Sequence, residues 1–161
     1  MSFRLYSKDF QEGAKLALTH VGNGNGHEGG NVSPHLAWEG APEGTKSFVL
    51  TMHDPDLPTI CGLWHWLVAD IPASATELVA GAGSGKAALP AGARQMRTDI
   101  APSGYVGPMP LPGPAHHYNF TLYALGVDKL PVPDDATPGM VDVIAFFNQV
   151  GVAKLTATYN M

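Results

Sequence analysis

Ser47-Phe-Val-Leu-Thr-Met-His-Asp-Pro-Asp-Leu-Pro-Thr-Ile-Cys-Gly-Leu-Trp-His-Trp-Leu-Val-Ala-Asp-Ile71 holds two strands and the ionisable groups between them. Ser47 to Met52 is rich in β-formers and apolar on both faces, as the central strand of a packed sheet must be. Trp64 to Ile71 is a second predicted strand. Its alternation sets His65, Leu67 and Ala69 on one face and Trp64, Trp66, Val68 and Asp70 on the other. In Asp54-Pro55-Asp56 the proline fixes its own φ and pushes Asp54 toward an extended conformation, so the two carboxylates are expected to share one pocket. For the tripeptide alone, a turn capped by Asx-type hydrogen bonds is the alternative.

Working outward, Phe3 and Leu5 alternate with polar neighbours, and Leu16 to Val21 has the residue types of a short strand. The Gly-rich run from Gly22 to Gly30 must be loop, because ordered glycine loses extra backbone entropy. It ends in Asn31-Val32-Ser33-Pro34, whose turn formers fix its shape. Gly81 to Pro114 has almost no apolar periodicity and is predicted to be a long irregular loop, which within a domain usually serves a function. Tyr118 to Gly126 is a clear strand, and Lys154 to Tyr159 is the last one. Between them Thr137 caps the one good helix, with Pro138 at its first turn and Gly151 beyond its end. Val143, Phe146, Phe147 and Val150 recur at helical spacing and are expected to pack on the sheet. No repeat or internal boundary is visible, so one domain over 1-161 is expected.

Composition narrows the function classes. Nineteen Gly and 14 Pro among 161 residues call for many turns, while 45% hydrophobic content is ordinary for a folded chain. A net charge of -5 without any run of Lys or Arg removes the footprint of a nucleic-acid binder. Cys61 is the only cysteine, which excludes an intrachain disulfide and multi-cysteine metal sites. It is expected as a half-buried thiol in a turn. No segment approaches a membrane span, so a cytoplasmic protein, not membrane-embedded, is expected.

The chemistry-bearing residues leave two readings open. His65 and His116-His117 each begin an apolar strand, and the latter pair ends the segment Gly104-Tyr105-Val106-Gly107-Pro108-Met109-Pro110-Leu111-Pro112-Gly113. Glycines there allow backbone N–H groups to face an anion, and prolines stiffen the loop. Imidazole with carboxylate equally suits zinc or iron, so His65, His116, Asp54 and Asp56 could hold a metal whose bound water attacks a substrate. Spacing alone does not choose between an anion pocket and a metal-dependent hydrolase.

The ordered set Asn31-Val32-Ser33-Pro34-His35-Leu36-Ala37-Trp38, Asp54-Pro55-Asp56-Leu57-Pro58, Trp64-His65-Trp66, Gly104-Tyr105-Val106-Gly107-Pro108 and His116-His117-Tyr118 resembles the phosphatidylethanolamine-binding protein family, in its bacterial Raf-kinase-inhibitor-like branch. The resemblance covers nearly the whole chain. It implies a mainly β fold of two packed sheets with one or two short peripheral helices, and a small surface pocket for phosphate-type anions, phosphorylated small molecules or phospholipid head groups. By that resemblance the ligand-binding residues are Asp54, Asp56, His65, Tyr105, Gly107, Pro110 and His116. His65 and His116 would donate to the anion, the Gly107 region would supply N–H groups, and the carboxylates would orient the histidines or bind an amine. A non-enzymatic binding protein without cofactor is expected, with a protein partner or a homodimer through a sheet face among its implied assemblies. Three departures mark this chain: Gly107-Pro108-Met109-Pro110-Leu111 where the pattern has Gly-Pro-Cys-Pro-Pro, His117 where arginine is usual, and His53 as a further imidazole before the Asp pair.

Overall fold

The computed structural model describes residues 1–161. In chain order it contains β1 (Arg4–Tyr6), β2 (Asn23–Gly24), β3 (His27–Glu28), β4 (Leu36–Glu39), β5 (Ser47–Asp54), β6 (Leu63–Pro72), β7 (Glu77–Leu78), β8 (Arg94–Gln95), β9 (His116–Leu125), α1 (Pro138–Asn148) and β10 (Gln149–Tyr159). β5 lies in the middle of a five-stranded antiparallel sheet of order β10-β9-β5-β6-β8. Flanked on both edges and covered on both faces, it is buried at every residue except His53, which explains a sequence apolar on both sides. β1, β4 and β7 form a second antiparallel sheet, and β2 pairs with β3 as a separate hairpin.

Strand alternation makes two apolar layers. On the inner face Phe48, Leu50 and Met52 of β5, Trp66 and Val68 of β6, and Phe120 and Leu122 of β9 meet Leu5, Leu36, Trp38 and Leu78 of the smaller sheet. Each fully buried side chain of this size is worth about 1.5–3 kcal/mol relative to exposure. On the outer face Val49, Leu67, Ala69 and Tyr123 are covered by Val141 and Ala145 of α1 and by Leu130 and Ala136 before it. The expected sandwich of two packed sheets with a peripheral helix is the observed fold.

β6 departs from simple alternation twice. Its pairing with β5 runs Phe48↔Ile71 then Leu50↔Val68, and Met52↔Trp66 then His53↔Trp64, so β6 carries an extra residue at each step. At the first bulge Asp70 takes a left-handed φ of 57°. Its carboxylate accepts from Arg94 Nε at 2.6 Å and from the Leu130 backbone N–H at 2.8 Å, which fastens β8 and the outer cover to the sheet. At the second bulge His65 has no partner on β5. Trp64 packs on the outer layer and Trp66 in the inner one, while His65 turns inward beside Tyr118, ring centroids 5.3 Å apart. The alternation that grouped His65 with Leu67 and Ala69 is corrected: the bulge re-aims the imidazole.

Other expectations change for local reasons. Leu16 to Val21 is not a strand; Lys15 makes one parallel bridge to Thr158, and Leu18–His20 is a 3-10 turn closed by Val21 N–H to Leu18 C=O. Gly81 to Pro114 is irregular as expected, apart from a short 3-10 turn and β8. β10 begins at Gln149, well before Lys154. Thr137 does cap α1, accepting from Met140 N–H at 3.2 Å. The helix buries Pro138, Val141 and Ala145, however, while Val143, Phe146, Phe147 and Val150 are exposed. Because α1 runs into β10 without a loop, the start of β10 sets the helix's rotation, and Ala145 offers little side chain to hold the backbone off the sheet. Cys61 is exposed at the tip of the β5–β6 connection, beside Gly62 with φ 62°.

Candidate functional site

β5, β6 and β9 end side by side, and a cavity of about 290 Å³ opens there. Its polar lining is Asp54, His65, His116, Tyr118 and Asn25, and its apolar wall includes Leu57, Leu63, Ile100, Met109 and Leu111. No lysine or arginine lines it.

Asp54 is the hub. It is 3% exposed, and both of its oxygens accept hydrogen bonds. Oδ1 accepts the backbone N–H groups of Asp56 at 2.8 Å and Leu57 at 3.2 Å, an Asx-type turn in which Pro55 sets the bend. Oδ2 accepts Nδ1–H of His116 at 2.7 Å. A carboxylate so placed can only accept, so the proton of that bond lies on His116 Nδ1, leaving Nε2 for the cavity. The Asx turn and the pocket group, posed as alternatives for this tripeptide, are both realised in Asp54.

His65 is fixed in the same manner by a different partner. Its Nδ1 donates to the Val106 carbonyl at 2.7 Å, and the Val106 N–H returns a bond of 3.0 Å to the His65 carbonyl, so the bulged residue is held by the loop that faces it. His65 Nε2 is buried with no partner. Burial pushes the imidazole below its ordinary 6.5, against the opposing pull of the Val106 bond and the Asp54 charge. Tyr118 closes the floor; desolvation, then the charges of Asp54 and Asp56, hold its hydroxyl protonated far above the usual range.

The opposite wall, residues 104–111, is organised by the Gly-rich segment. Asn31, itself left-handed at φ 51°, accepts the Gly107 N–H at 2.7 Å through Oδ1 and donates to the Tyr105 carbonyl at 3.3 Å through Nδ2. Gly22 N–H donates to Pro108, and His27 Nε2–H donates to the Pro110 carbonyl at 2.7 Å. A Cβ on Gly107 would stand 2.4 Å from the His20 carbonyl oxygen and 2.6 Å from Gly22 N, so only glycine permits this approach.

Of the residues singled out in the sequence, Asp54, His65, His116 and Pro110 line the cavity together. Asp56 does not. It is exposed, and its Oδ2 accepts both the backbone N–H at 2.6 Å and Nδ1–H at 2.7 Å of His117. Desolvation raises that carboxyl, but the bonds and charge of His117 and the charge of His116 outweigh it and hold it below 3.8. Tyr105 lies behind the wall, its hydroxyl donating to the His20 carbonyl at 2.6 Å and its ring edge-on to Trp66. The Gly107 N–H is spent on Asn31 and is not offered to the cavity.

Residues 6–160 match the family model described as phosphatidylethanolamine-binding protein. The chain belongs to this family. It is 45% identical to the UPF0098 protein YbhB of Escherichia coli over 157 residues, covering 98% of this chain and 99% of YbhB. It is 41% identical to the UPF0098 protein YbcL of the same organism over 162 residues, covering 99% and 88% of the two. The crystal structure of YbcL superposes with a TM-score of 0.95 over 100% of this chain and 99% of that one. CT736 of Chlamydia trachomatis, 26% identical, superposes at 0.84 over 99% and 98%.

The fold of the family is therefore present in full, and the cavity lies where its ordered motifs converge. Sequence reasoning missed Asn25, Tyr118 and the apolar wall as lining. Tyr118 was within reach, since it follows His116 by two residues on one strand and must share its face. Asn25 carried no signal beyond its place in a glycine-rich loop.

Proposed function

We propose that the chain is a non-enzymatic binding protein that holds a phosphate-type anion, free or as part of a phosphorylated molecule or phospholipid head group, in the cavity at the ends of β5, β6 and β9. The observation that carries this reading is the pair His65 and His116. Each is tied at Nδ1, by Val106 and Asp54, and so has only Nε2 left to meet a ligand at a cavity of small-molecule size. Family membership supports a binding protein. The lining contains no serine, cysteine or lysine to act as nucleophile beside the histidines.

The metal-dependent hydrolase reading asks Asp54, Asp56, His65 and His116 to converge. Asp54 and Asp56 instead turn to two different histidines, and no group of three or more His, Cys, Asp or Glu is arranged to hold an ion. We therefore favour the binding module.

Titration calorimetry with phenyl phosphate at pH 6 tests the proposal. Binding to the native chain, lost on His116→Ala, with the ester recovered intact, is the expected result; released phenol would overturn the non-enzymatic reading, and no heat would overturn the pocket. No helix is long and apolar enough to cross a membrane, and a cytoplasmic location is kept as part of the proposal, with cell fractionation as its test. Pairing of two copies is kept likewise; a monomer at all concentrations in sedimentation velocity would dismiss it.

A further inference from the structure

On the outer face of the five-stranded sheet, α1 and the segment before it cover the end that holds Val49 and Tyr123. The other end of that face opens as a second cavity of about 300 Å³. Strand register builds its lining. Thr51, Thr121 and Lys154 are partners across β5, β9 and β10, and His53, Asn119 and Thr156 form the next row. Trp64 extends that second row onto β6 by its pairing with His53. Neighbouring strands lie about 4.8 Å apart and same-face residues about 7 Å apart along a strand, so the polar tips stand on a grid about 10 Å by 7 Å.

Several of these groups are held by the protein and keep hydrogen-bonding capacity to spare. The Thr156 hydroxyl donates to Asn119 Oδ1 at 2.9 Å, which leaves both N–H bonds of the Asn119 amide unspent. The Tyr123 hydroxyl donates to Asp142 Oδ1 at 2.7 Å, so α1 brings in a carboxylate whose second oxygen is open. His53 Nε2–H donates to the Cys61 carbonyl at 2.7 Å and keeps an acceptor at Nδ1. The hydroxyls of Thr51 and Thr121 bond no protein group, and Lys154 has no ion-pair partner. An ordinary solvated sheet face is polar as well. Here the polar groups sit in a depression between Trp64 and α1, with Thr51 at its floor only 2% exposed. The Trp64 ring is steadied at the rim by His53, ring centroids 4.4 Å apart.

The lining selects a ligand class. Asp142 and Lys154 balance in charge, so the cavity favours neither an anion nor a cation. Hydroxyls and an amide that donate and accept at several fixed points suit a ligand carrying several hydroxyls of its own, and bonds from those hydroxyls to Asp142 and Lys154 are charge-assisted. Trp64 offers an apolar ring face beside them. We propose that this outer cavity is a binding site separate from the one at the ends of β5, β6 and β9, and that it takes a neutral saccharide. Sugar hydroxyls bond to Thr51, Thr121, Asn119, Asp142 and Lys154 while the C–H face of a pyranose ring lies against Trp64. A free amino acid, whose two charges would pair with Asp142 and Lys154, is the rival to be separated.

The test is an NMR titration of the isotope-labelled full chain with cellotriose, maltotriose and chitotriose, and in parallel with phenylalanine. At least one trisaccharide is expected to bind with a Kd on the order of 1 mM. Its shifts should centre on the amides of Thr51, Asn119 and Thr121 and on the indole N–H of Trp64. Thr121→Val keeps the β-branched shape and Asp142→Asn keeps the size; each should weaken that trisaccharide about fivefold, with the rest of the spectrum unchanged. Unaltered affinity in both variants, or no shift at these residues with any trisaccharide, would overturn the proposal. Binding of phenylalanine alone would replace the saccharide with a zwitterion and overturn it too. Saturating phenyl phosphate should leave the trisaccharide affinity unchanged, and mutual exclusion of the two would place the sugar in the other cavity and dismiss the outer site.

Discussion

His116 donates from Nδ1 to Asp54 Oδ2 at 2.7 Å, joining the first residue of β9 to the last residue of β5. The same Asp54 closes the turn to Leu57 through its other oxygen, so one buried carboxylate shapes the backbone and orients a ring. Asp54→Ala removes both functions, and hydrogen bonds to a charged group of this kind are worth about 1.5–3 kcal/mol each. Urea unfolding should show a loss at the upper end of that range. Asp54→Asn keeps an acceptor for the turn but not for the ring, and should lose less stability while still weakening phenyl phosphate. Equal stability losses for the two variants would mean that the turn does not depend on Oδ1.

The buried imidazole of His65 links stability to pH. Its protonation is held below the ordinary 6.5 by desolvation, more than the Val106 bond and Asp54 restore. Between its folded value and 6.5 the unfolded chain binds more protons than the folded one, so stability falls as the pH drops below 6.5. A melting series in the absence of ligand should show this slope, and His65→Phe should flatten it. An unchanged slope in that variant would assign the acid sensitivity to other groups.

Gly107 is set between the His20 carbonyl and Gly22 N. Gly107→Ala drives a methyl into backbone on both sides and should cost about 3 kcal/mol, at the upper end of overpacking. Gly92, at φ 89° with nothing near an added Cβ, is the control: Gly92→Ala should cost about 1–2 kcal/mol, from its left-handed conformation alone. Similar losses at the two positions would remove the close approach of loop and hairpin as an explanation.

On α1, Phe147 is 76% exposed and Val141 is fully buried. Phe147→Ser should therefore leave stability within about 0.5 kcal/mol, whereas Val141→Ala opens a cavity against Leu67 and Tyr123 and should cost about 2 kcal/mol. Chemical denaturation of the two variants reads the difference directly. The reverse order would restore the larger side chains as the packing face.

The strands legible in the sequence were those whose burial leaves a plain pattern: β5, apolar on both sides, and β9, with Tyr118, Phe120 and Leu122 on one face. Asp54, His65 and His116 could be singled out because ionisable groups beside apolar strands are rare. What was not legible depends on relations between distant backbone segments. Nothing in Trp64-His65-Trp66 states that β5 supplies one residue fewer across from it. The helix's buried face follows from its direct junction with β10, which outweighs the larger side chains of Phe146 and Phe147. The Gly107 N–H looked free in the sequence because its acceptor, Asn31, lies 76 residues away.

The bulge in β6 makes the pocket separable from the sandwich. His65 points inward only because one more residue is present on β6 than on β5 across from it. Deleting Trp64 would let His65 pair with His53 in regular alternation and swing to the outer surface. Phe48, Leu50, Met52 and Trp66 would keep their places in the inner layer. The inward place of His65 in the cavity thus hangs on a single unit of strand length, and a one-codon deletion should remove the proposed binding while leaving a scaffold of the same shape.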